Sequence, residues 1–390
     1  MLRFLTAGES HGKGLIGVIE GLPSGLTVSL DFINMQLQRR QLGYGRGERM
    51  KIEKDQIEIL SGVRHGATLG SPVSFSIQNR DWKKWQSPMS TDPIPKDSNV
   101  KAVTRPRPGH GDLAGALKYQ THDIRDVLER ASARETAARV AVGAFCRLLL
   151  SRFDIPIASH VIAIGREHVD SKFENLPIEK ILALDPQSSI RCADTAAETR
   201  MKAHIDETKQ AGDSLGGIVE VVAASVLPGL GSHVQWNQKL DGQIAQAMMS
   251  IPSVKAVEIG SATAAARSLG SEVHDPISYD KRKKAFYRKT NRAGGLEGGI
   301  SNGSDIRVRI YMKPIPTLTK PLPSVDVLSK ESSDAAVERS DTCVVPAGGV
   351  IAEAMLGFVL AKAFIDKFGG DSMAELEQNH SNYLKLLDKY

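Results

Sequence analysis

Cysteine is scarce in this sequence, which has three among 390 residues: Cys146, Cys192 and Cys343. An odd and widely spaced set does not form a disulfide framework, and no CxxC pair is present to hold zinc, so no metal site is predicted. Thiols without partners are typical of a reducing compartment, and we expect a cytoplasmic protein. The chain reaches Glu9 and His11 before an apolar h-region can form, so no signal peptide is predicted.

Aromatic residues are also few, and neither positive nor negative charge is in large excess. Aromatics make up 5% of the chain and are not clustered, which counts against a surface for base stacking. Lys plus Arg is 50 and Asp plus Glu is 45, so the net charge is only +5. This mild excess fits a pocket for anionic small molecules. It also leaves a nucleic-acid-binding protein as an alternative, supported by the basic run in Asp280–Arg292, although such a run is more often a solvated mobile loop.

Long uninterrupted apolar runs are missing as well. The longest apolar tract, Ala347–Phe364, is interrupted by Glu353 and Lys362, which favours a buried helix over a membrane span. Hydrophobic residues make up 41% and charged residues 24%, the composition of an ordinary globular protein. Length alone predicts two or three domains of about 150 residues each.

Apolar patterning predicts both strands and helices. Runs rich in Val and Ile predict strands at Leu2–Thr6, Leu15–Leu22, Ile57–Val63, Val73–Ile77, Ile218–Val226 and Ile306–Met312. Helical patterns predict helices at Asp31–Leu42, Ile124–Arg152, Lys239–Ser250 and Val350–Phe368. Asp31 is expected to cap the first helix and Gly369 to end the last. The second and fourth helices are rich in small residues and are placed in the interior.

Two polar stretches do not fit these patterns. Asp81–Val100 contains two tryptophans and three prolines and is predicted to be a long loop, either a lid or a passive excursion. Glu167–Gly212 is weakly periodic and is predicted to be a peripheral helical elaboration.

The segment Gly8–Gly12 satisfies the G-x-S-x-G pattern of a hydrolase nucleophile elbow. That elbow needs a helix after the serine, whereas the residues after Gly12 are glycine-punctuated and strand-like. A serine hydrolase that uses Ser10 is therefore kept only as an alternative. We instead predict a polar turn between two strands that presents Ser10 and His11, where a histidine would titrate near neutral pH. In the plainest alternative the histidine only hydrogen-bonds to backbone.

Two loops combine arginine with glycine or proline, a pattern that indicates anion binding. Residues 39–49 hold three glycines and four arginines: Arg39, Arg40, Arg46 and Arg49. Glycine lets the backbone approach a ligand closely, and arginine offers forked donors to phosphate or carboxylate. In residues 105–112, prolines stiffen a loop that carries His110 between Arg107 and Asp112. That arrangement suits a general acid, and a rigid structural turn fits equally well.

Three further segments carry charged residues at the ends of predicted elements. Arg130 and Arg134 lie one turn apart on the second predicted helix and would share a face near the start of its apolar part. Lys313–Thr317 is a proline-stiffened segment that follows a strand. Arg339 stands beside Asp341 and would favour the carboxylate form of that residue.

Taken together, these segments resemble the chorismate synthase family. The motifs occur in the order of the family: Gly8–Gly12, Arg39–Gly47, Ser61–Val63, Arg107–Asp112, Ser132–Thr136, Gly294–Gly303, Lys313–Thr317 and Glu338–Asp341. No single motif is decisive, but eight in order are very specific, and they cover the chain from residue 6 to about residue 360.

The resemblance implies a lyase that converts 5-enolpyruvylshikimate 3-phosphate to chorismate and phosphate by anti-1,4-elimination, the last common step of aromatic amino acid biosynthesis. It also implies a requirement for reduced FMN without net redox change. NADPH is then a candidate reductant, and the alternative is an external flavin reductase. The substrate carries one phosphate and two carboxylates, which agrees with arginines on several loops. No nucleic-acid or membrane partner is expected.

The functional residues of the family fall on matching positions here. By resemblance, His11 is the acid near substrate and flavin, His110 protonates the reduced flavin or balances its charge, and Asp341 lies by flavin N5 and helps to move the ring proton. Substrate contacts are implied for Ser10, Arg40, Arg46, Arg49, Arg107, Arg134 and Arg339. Flavin contacts are implied for Arg40, Arg46, Ser132, Ala133, Arg134, Pro252, Ser253, Gly298, Lys313, Pro314, Ile315, Pro316, Thr317 and Arg339.

The fold implied by the resemblance is α+β, a layered sandwich of antiparallel sheets around a helical core, assembled as a homotetramer. The sequence has no strand–G-x-G-x-x-G–helix unit, which argues against a doubly wound nucleotide fold. Because motifs from residue 6 to residue 341 would contribute to one site, we expect a single domain over residues 1–390 instead of two or three.

Overall fold

The computed structural model describes residues 1–47, 53–95, 98–184, 188–282, 284–338 and 340–390. The strands are β1 (Arg3–Ala7), β2 (Gly14–Glu20), β3 (Ile57–Ser61), β4 (Val63–Arg64), β5 (Ala67–Thr68), β6 (Val73–Gln78), β7 (Ile157–Ile164), β8 (Glu167–His168), β9 (Gly217–Ala223), β10 (Val254–Ile259), β11 (Ile277–Asp280), β12 (Ala285–Arg288), β13 (Leu296–Glu297), β14 (Ile300–Ser301), β15 (Ile306–Met312), β16 (Pro323–Val325) and β17 (Ser332–Asp334).

The α-helices are α1 (Leu30–Gln41), α2 (Asp112–Tyr119), α3 (Arg125–Ala131), α4 (Thr136–Ser151), α5 (Ile178–Leu182), α6 (Thr195–Gln210), α7 (Leu240–Met249), α8 (Ala262–Ala265), α9 (Gly270–Val273), α10 (Val345–Phe368) and α11 (Met373–Leu387). Short 3-10 helices occur at Arg80–Lys84, Ala133–Glu135, Ser171–Phe173 and Trp236–Gln238.

The first sheet has the strand order β1-β2-β6-β3 and is antiparallel throughout. Alternation along β6 buries Val73, Phe75 and Ile77, the pattern of a strand with one face on the core. Gly17 of β2 lies opposite Phe75, and a Cβ at Gly17 would come within 2.2 Å of the phenyl ring. Glycine is therefore needed where the ring crosses the neighbouring strand.

The second sheet has the strand order β10-β15-β9-β7-β8 and is also antiparallel. Every residue of β7 is buried, as are the last five residues of β9, so both strands are covered on both faces. The sequence predicted the strand at β9 but missed β7 and β10. Strand β7 is buried at every position and so shows no alternation, and its sequence resembles that of a buried helix.

Helices α4 and α10 pack against each other in the interior. Helix α4 also contacts β2 of the first sheet, and α10 contacts β7 and β9 of the second. Gly143 of α4 lies directly against Ala354 of α10, where an added Cβ would be 2.3 Å from the alanine Cβ. One hydrophobic cluster contains residues of both sheets and both helices. The α+β class and the interior position of the two helices are confirmed.

Helix α10 is long and apolar enough, by length and composition, to cross a membrane. Within the protein, however, 83% of its apolar window is buried. The prediction of a buried core helix is thus confirmed, and α10 ends at Gly369 as expected.

The prediction of one continuous helix over Ile124–Arg152 is wrong, because the α-helix is interrupted between Ala131 and Thr136. Helix α3 ends at Ala131, Ser132 has an extended backbone with φ −65° and ψ 141°, and α4 begins at Thr136. The predicted cap of α1 is also wrong, because Ser29 accepts the hydrogen bond from the Phe32 amide. Asp31 lies within the first turn instead, where its charge favours the helix dipole.

The predicted loop Asp280–Arg292 is wrong at Asp280 and Ala285–Arg288, which are strand residues, and the other described residues of the range are irregular. Strands β11 and β12 form an antiparallel hairpin there, and Lys283 lies outside the described residues. The helical elaboration predicted for Glu167–Gly212 is confirmed by α5 and α6. The stretch Asp81–Val100 is irregular after the 3-10 helix at Arg80–Lys84, and its residues 96 and 97 are not described.

The three cysteines are free and buried. Burial raises the pKa of Cys146 and Cys343 to about 12 and that of Cys192 to about 11. The thiols therefore stay protonated at neutral pH and behave as small apolar side chains.

Candidate active site

A cavity of about 370 Å³ brings together loops from distant parts of the chain. This volume lies within the range of small-molecule sites. The residues predicted from the sequence that line the cavity are Ser10, His11, Arg40, Arg46, Arg107, His110, Ser132, Ala133, Arg134, Pro252, Ser253, Lys313, Ile315, Pro316, Thr317 and Asp341.

Two of the predicted residues that the structure describes, Gly298 and Pro314, are not among those that line the cavity. Gly298 lies in the turn between β13 and β14 with a φ of 60°, beside His233. Pro314 belongs to the correct segment, but its neighbours Lys313 and Ile315 form the cavity wall. Arg49 and Arg339 lie outside the described residues.

The turn between β1 and β2 carries Ser10 and His11. A strand follows Ser10 where a hydrolase elbow requires a helix, so the nucleophile motif lacks its structural context. Gly8 has a φ of 103°, and a Cβ there would lie 2.3 Å from the carbonyl oxygen of Gly14. The side-chain amide of Asn79 donates from Nδ2 to the Gly12 carbonyl at 2.8 Å and holds the turn in place. The predicted turn between two strands is confirmed.

His11 is paired with the buried carboxylate of Glu129. Its Nδ1 lies 2.9 Å and 3.1 Å from the two Glu129 oxygens, and its backbone N–H donates to Oε2 at 2.7 Å. Burial alone would raise the pKa of Glu129, but the hydrogen bonds and charge of His11 and the charge of Arg125 outweigh it and lower the pKa. An ionised carboxylate at this distance requires a proton on Nδ1. The nitrogen left for a ligand is therefore Nε2 of His11.

His110 is held in the same way by Asp112. Its Nδ1 lies 2.5 Å from Asp112 Oδ1, and the Asp112 side chain is only 1% exposed. Burial alone would raise the pKa of Asp112, but hydrogen bonds from His110 and Arg107 hold it well below the ordinary value. Nδ1 of His110 thus carries the proton, and Nε2 is again the nitrogen available to a ligand. The two histidines line the same cavity.

Arg107 was predicted to bind substrate. In the structure its guanidinium group donates hydrogen bonds to other residues of the protein. Nε and Nη2 donate to the two Asp112 oxygens at 2.8 Å and 3.1 Å, and Nη1 donates to Thr317 Oγ1 at 2.9 Å. A forked pair of this kind holds the loop rigidly. Arg107 thereby joins the His110 loop to the Lys313–Thr317 segment.

Arg40 and Arg134 share the buried carboxylate of Asp55 at the cavity wall. Arg134 Nη1 donates to Asp55 Oδ1 at 2.6 Å, and its Nε donates to Asn79 at 2.9 Å. Arg40 Nη1 lies 3.6 Å from Asp55 Oδ2 and has no hydrogen-bond partner within the described part of the chain. Burial lowers the pKa of Arg40 to about 10, which the attraction of Asp55 only partly offsets. The site thus contains a buried cation with a donor left for a ligand.

Arg130 does not share a helix face with Arg134, contrary to the prediction. The chain is extended at Ser132, so the two side chains leave in different directions. Arg130 donates to the carbonyls of Thr6 and Gly8 at 2.8 Å and 3.0 Å. It therefore anchors the His11 turn to α3.

Asp341 meets the glycine-rich loop that follows α1. Arg46 Nη1 lies 2.8 Å from Asp341 Oδ2, and the Gly47 N–H donates to Oδ1 at 2.5 Å. The Asp341 side chain is 19% exposed, more than the carboxylates beside the histidines. A ligand or proton can therefore reach Asp341 more easily than Glu129 or Asp112, and Glu338, which is 28% exposed, is a second accessible carboxylate of the lining.

The residues predicted to hold flavin form a second wall. Lys313 Nζ donates to the Gly109 carbonyl at 2.5 Å, and the Lys313 N–H donates to the Ser253 carbonyl. Ser253 has a φ of 71°, which is uncommon for a residue with a side chain and typical of functional turns. Met312 and Ile351 add apolar surface to the same cavity.

Several residues that contact the site were not predicted from the sequence: Glu129, Asn79, Asp55 and Trp85. Sequence offered one weak signal for Glu129, its spacing of four residues from Arg125. The contacts of Asn79 and Asp55 depend on strand pairing and have no local signature.

The chemistry available to a ligand follows from this lining. Each of the two histidines has Nε2 available for proton exchange, the carboxylates of Asp341 and Glu338 are accessible, and buried arginines provide positive charge. Apolar side chains cover part of the wall. The site therefore suits an anionic ligand and an apolar group, in a reaction that moves protons.

The chain is similar to known proteins both in its sequence and in its structure. A model of the chorismate synthase family matches residues 2–365. The chorismate synthase of Solibacter usitatus is 52% identical over 392 residues, covering 100% of both chains. That of Desulforudis audaxviator is 54% identical over 387 residues, covering 99% of this chain and 98% of the relative. A crystal structure of chorismate synthase superimposes with a TM-score of 0.80 at 44% identity, covering 100% of this chain and 99% of that one.

Proposed function

We propose, because the chain belongs to the chorismate synthase family, that its cavity converts 5-enolpyruvylshikimate 3-phosphate to chorismate and phosphate by anti-1,4-elimination with reduced FMN. The protein is an enzyme, a carbon–oxygen lyase that forms chorismate in the shikimate pathway. The observation that carries the finer proposal is the pair of carboxylate-held histidines in one cationic cavity.

The residues present fit FMN. The apolar side chains of Met312 and Ile351 suit the isoalloxazine ring, and the Ser253 turn and Lys313–Thr317 offer backbone groups to its polar edge. Nη1 of Arg40 has an ion-pair contact with Asp55 at 3.6 Å but no hydrogen bond to the described residues, so it is a buried donor that an anionic group would satisfy. When bound, reduced FMN supplies electron density as phosphate departs and recovers it afterwards.

The chain itself contributes acid, charge and base. His11, with its Nδ1 proton held by Glu129, donates the Nε2 proton to the leaving phosphate oxygen. Arg46 and the buried arginines stabilise the anion that develops. His110 keeps a positive charge or a proton at the cofactor, and Asp112 steadies that charge. Asp341, oriented by Arg46 and the Gly47 amide, accepts the proton lost from the substrate ring.

Several wider properties are part of the same proposal. We propose a cytoplasmic homotetramer in which each chain is one domain, a layered sandwich with α4 and α10 between the two sheets. The contact of α4 with β2 and of α10 with β7 and β9 supports that layering. NADPH and an external flavin reductase are the two candidate sources of electrons for the flavin.

An anaerobic assay tests the reaction. The full chain is mixed with 5-enolpyruvylshikimate 3-phosphate and chemically reduced FMN, and phosphate and chorismate are measured together. We expect equal amounts of both products and none with oxidised FMN. A parallel reaction with oxidised FMN and NADPH asks whether the chain reduces its own flavin. Phosphate release without chorismate, or no product from a folded chain, would contradict the proposal.

A further inference from the structure

Trp85, in the irregular stretch after β6, lies directly on the imidazole of His11. The two ring centroids are 4.0 Å apart and the planes are inclined by 24°, which is a stacked pair. The backbone there turns back on itself, with the Trp85 N–H donating to the Trp82 carbonyl at 2.8 Å. The stretch Asp81–Val100, predicted to be a lid or a passive excursion, therefore contributes a side chain that packs on a residue of the cavity lining.

Arg125 also packs against Trp85. Its guanidinium carbon is 4.9 Å from the centre of the tryptophan ring, a cation–π distance. The same guanidinium donates from Nη1 to Glu129 Oε1 at 2.8 Å, and its Nη2 lies 3.6 Å from Glu338. Arg125 is thus attached both to the indole and to the carboxylate that binds His11.

These contacts form a closed ring of four side chains. Glu129 binds the edge of His11, Trp85 covers its face, and Arg125 joins Trp85 to Glu129. A hydrogen bond to Nδ1 alone leaves the imidazole free to swing about that bond. A flat aromatic surface against the face of the ring removes this freedom, because the indole is fixed in turn by Arg125.

We propose that Trp85 is a positioning residue, which sets the plane of the His11 imidazole so that Nε2 points at the leaving group. This inference rests on the proposed role of His11. It also assigns a purpose to the segment Arg80–Met89, whose contact with the site is made by the indole. A reacting group that is misplaced by about 1 Å can lose up to about 100-fold in rate, so loss of the stacked ring should act on turnover.

A fluorescence titration tests the stacked pair without any enzymatic activity. The chain has three tryptophans, and replacing Trp82 and Trp236 by phenylalanine leaves Trp85 as the only indole. A protonated imidazole quenches an indole that it touches. We expect emission to fall as His11 is protonated and expect His11→Asn to abolish that pH dependence. Emission that titrates equally in His11→Asn, or that His11→Asn leaves unchanged at every pH, would overturn the stacking.

A kinetic series separates positioning from mere support of the fold. Trp85→Ala should lower kcat by about 10- to 100-fold with little change in KM, and Trp85→Phe should recover most of kcat because a phenyl ring still stacks. Trp82→Ala and Trp236→Ala are the matched controls, and Trp236 is 78% exposed. An unchanged kcat in Trp85→Ala, or a change confined to KM, would overturn the proposal. If the wild-type chain forms no chorismate, the titration still decides whether the pair exists.

Discussion

His11 and His110 come from separate loops, and the protein holds their rings in the same manner. Each Nδ1 lies against a carboxylate that is 1% exposed, Glu129 in one case and Asp112 in the other. A buried anion at Nδ1 selects the tautomer and stabilises the imidazolium that forms during proton transfer. Each histidine therefore has Nε2 as the ring nitrogen available to a ligand.

Removing either imidazole should slow turnover. His11→Ala and His110→Ala are each expected to reduce kcat by a factor of about 10² to 10⁴, the usual size of a lost general acid or base. The anaerobic assay with reduced FMN measures this, and circular dichroism checks that the variants fold. His122→Ala is a suitable control because His122 is exposed and lies outside the cavity lining. Near-normal turnover in one of the two variants would remove that histidine from the mechanism.

At the scale of elements, the contact between α4 and α10 sets how closely the two sheets can approach. The contact depends on small residues, because Gly143 meets the backbone of Ala354. An added Cβ would lie 2.4 Å from the Ala354 Cα and 2.6 Å from its carbonyl oxygen. Backbone atoms of a buried helix cannot rotate away as a flexible side chain can, so the helices would have to separate.

Gly143→Ala should therefore destabilise the protein. Alanine is a better helix former than glycine by about 1 kcal/mol, but overpacking a core of this density costs about 1–3 kcal/mol, so a net loss is expected. Urea unfolding measures the difference. Gly242→Ala in α7 is the matched control, because the nearest atom to its added Cβ is 4.0 Å away and the substitution should be neutral or stabilising. Equal changes in the free energy of unfolding for the two substitutions would show that the close contact of Gly143 with Ala354 does not destabilise the alanine variant.

At the scale of the whole molecule, one buried carboxylate connects four parts of the chain. Glu353 of α10 is fully buried and lies within 2.8 Å of Arg39, Arg147 and Arg191, which belong to α1, α4 and the segment before α6. Burial alone would raise the pKa of Glu353, but the three arginines hold it well below its ordinary value.

Glu353→Gln should be strongly destabilising, since it leaves three guanidinium groups without their shared anion. Breaking a buried ion pair from one side costs about 3–5 kcal/mol, which urea unfolding at neutral pH would detect. Glu377→Gln is the comparison, because Glu377 pairs with Arg152 at the surface, where both side chains are about half exposed. An exposed pair contributes about 0–1 kcal/mol.

The contribution of Glu353 to the free energy of unfolding should decrease as the pH falls. Because its folded pKa lies below the unfolded value of about 4.3, its stabilisation is complete above that value and is lost as the pH falls toward the folded pKa. The difference between wild type and Glu353→Gln should therefore shrink on acidification. A difference that stays constant into the acid range would rule out ionisation as its source.

Local sequence predicted those parts of the site whose partners are close along the chain. The His110 loop is stiffened by its own prolines, and its carboxylate stands two residues from the histidine, so the pattern could be recognised directly. The strand β15 was predicted with its observed bounds, because its Val and Ile residues are bounded by turn residues. Family resemblance supplied the remaining site residues, and most of the described ones line the cavity.

Three-dimensional packing alone paired His11 with Glu129, which is 118 residues away, and placed Trp85 on its face. It also broke the helix at Ser132, so that Arg130 and Arg134 serve different partners. The physical reason is that turn geometry depends on neighbouring residues, whereas ionisation, stacking and burial depend on groups that meet only when the sheets and helices close. Residue types on the loops were thus readable in advance, and their mutual orientation was not.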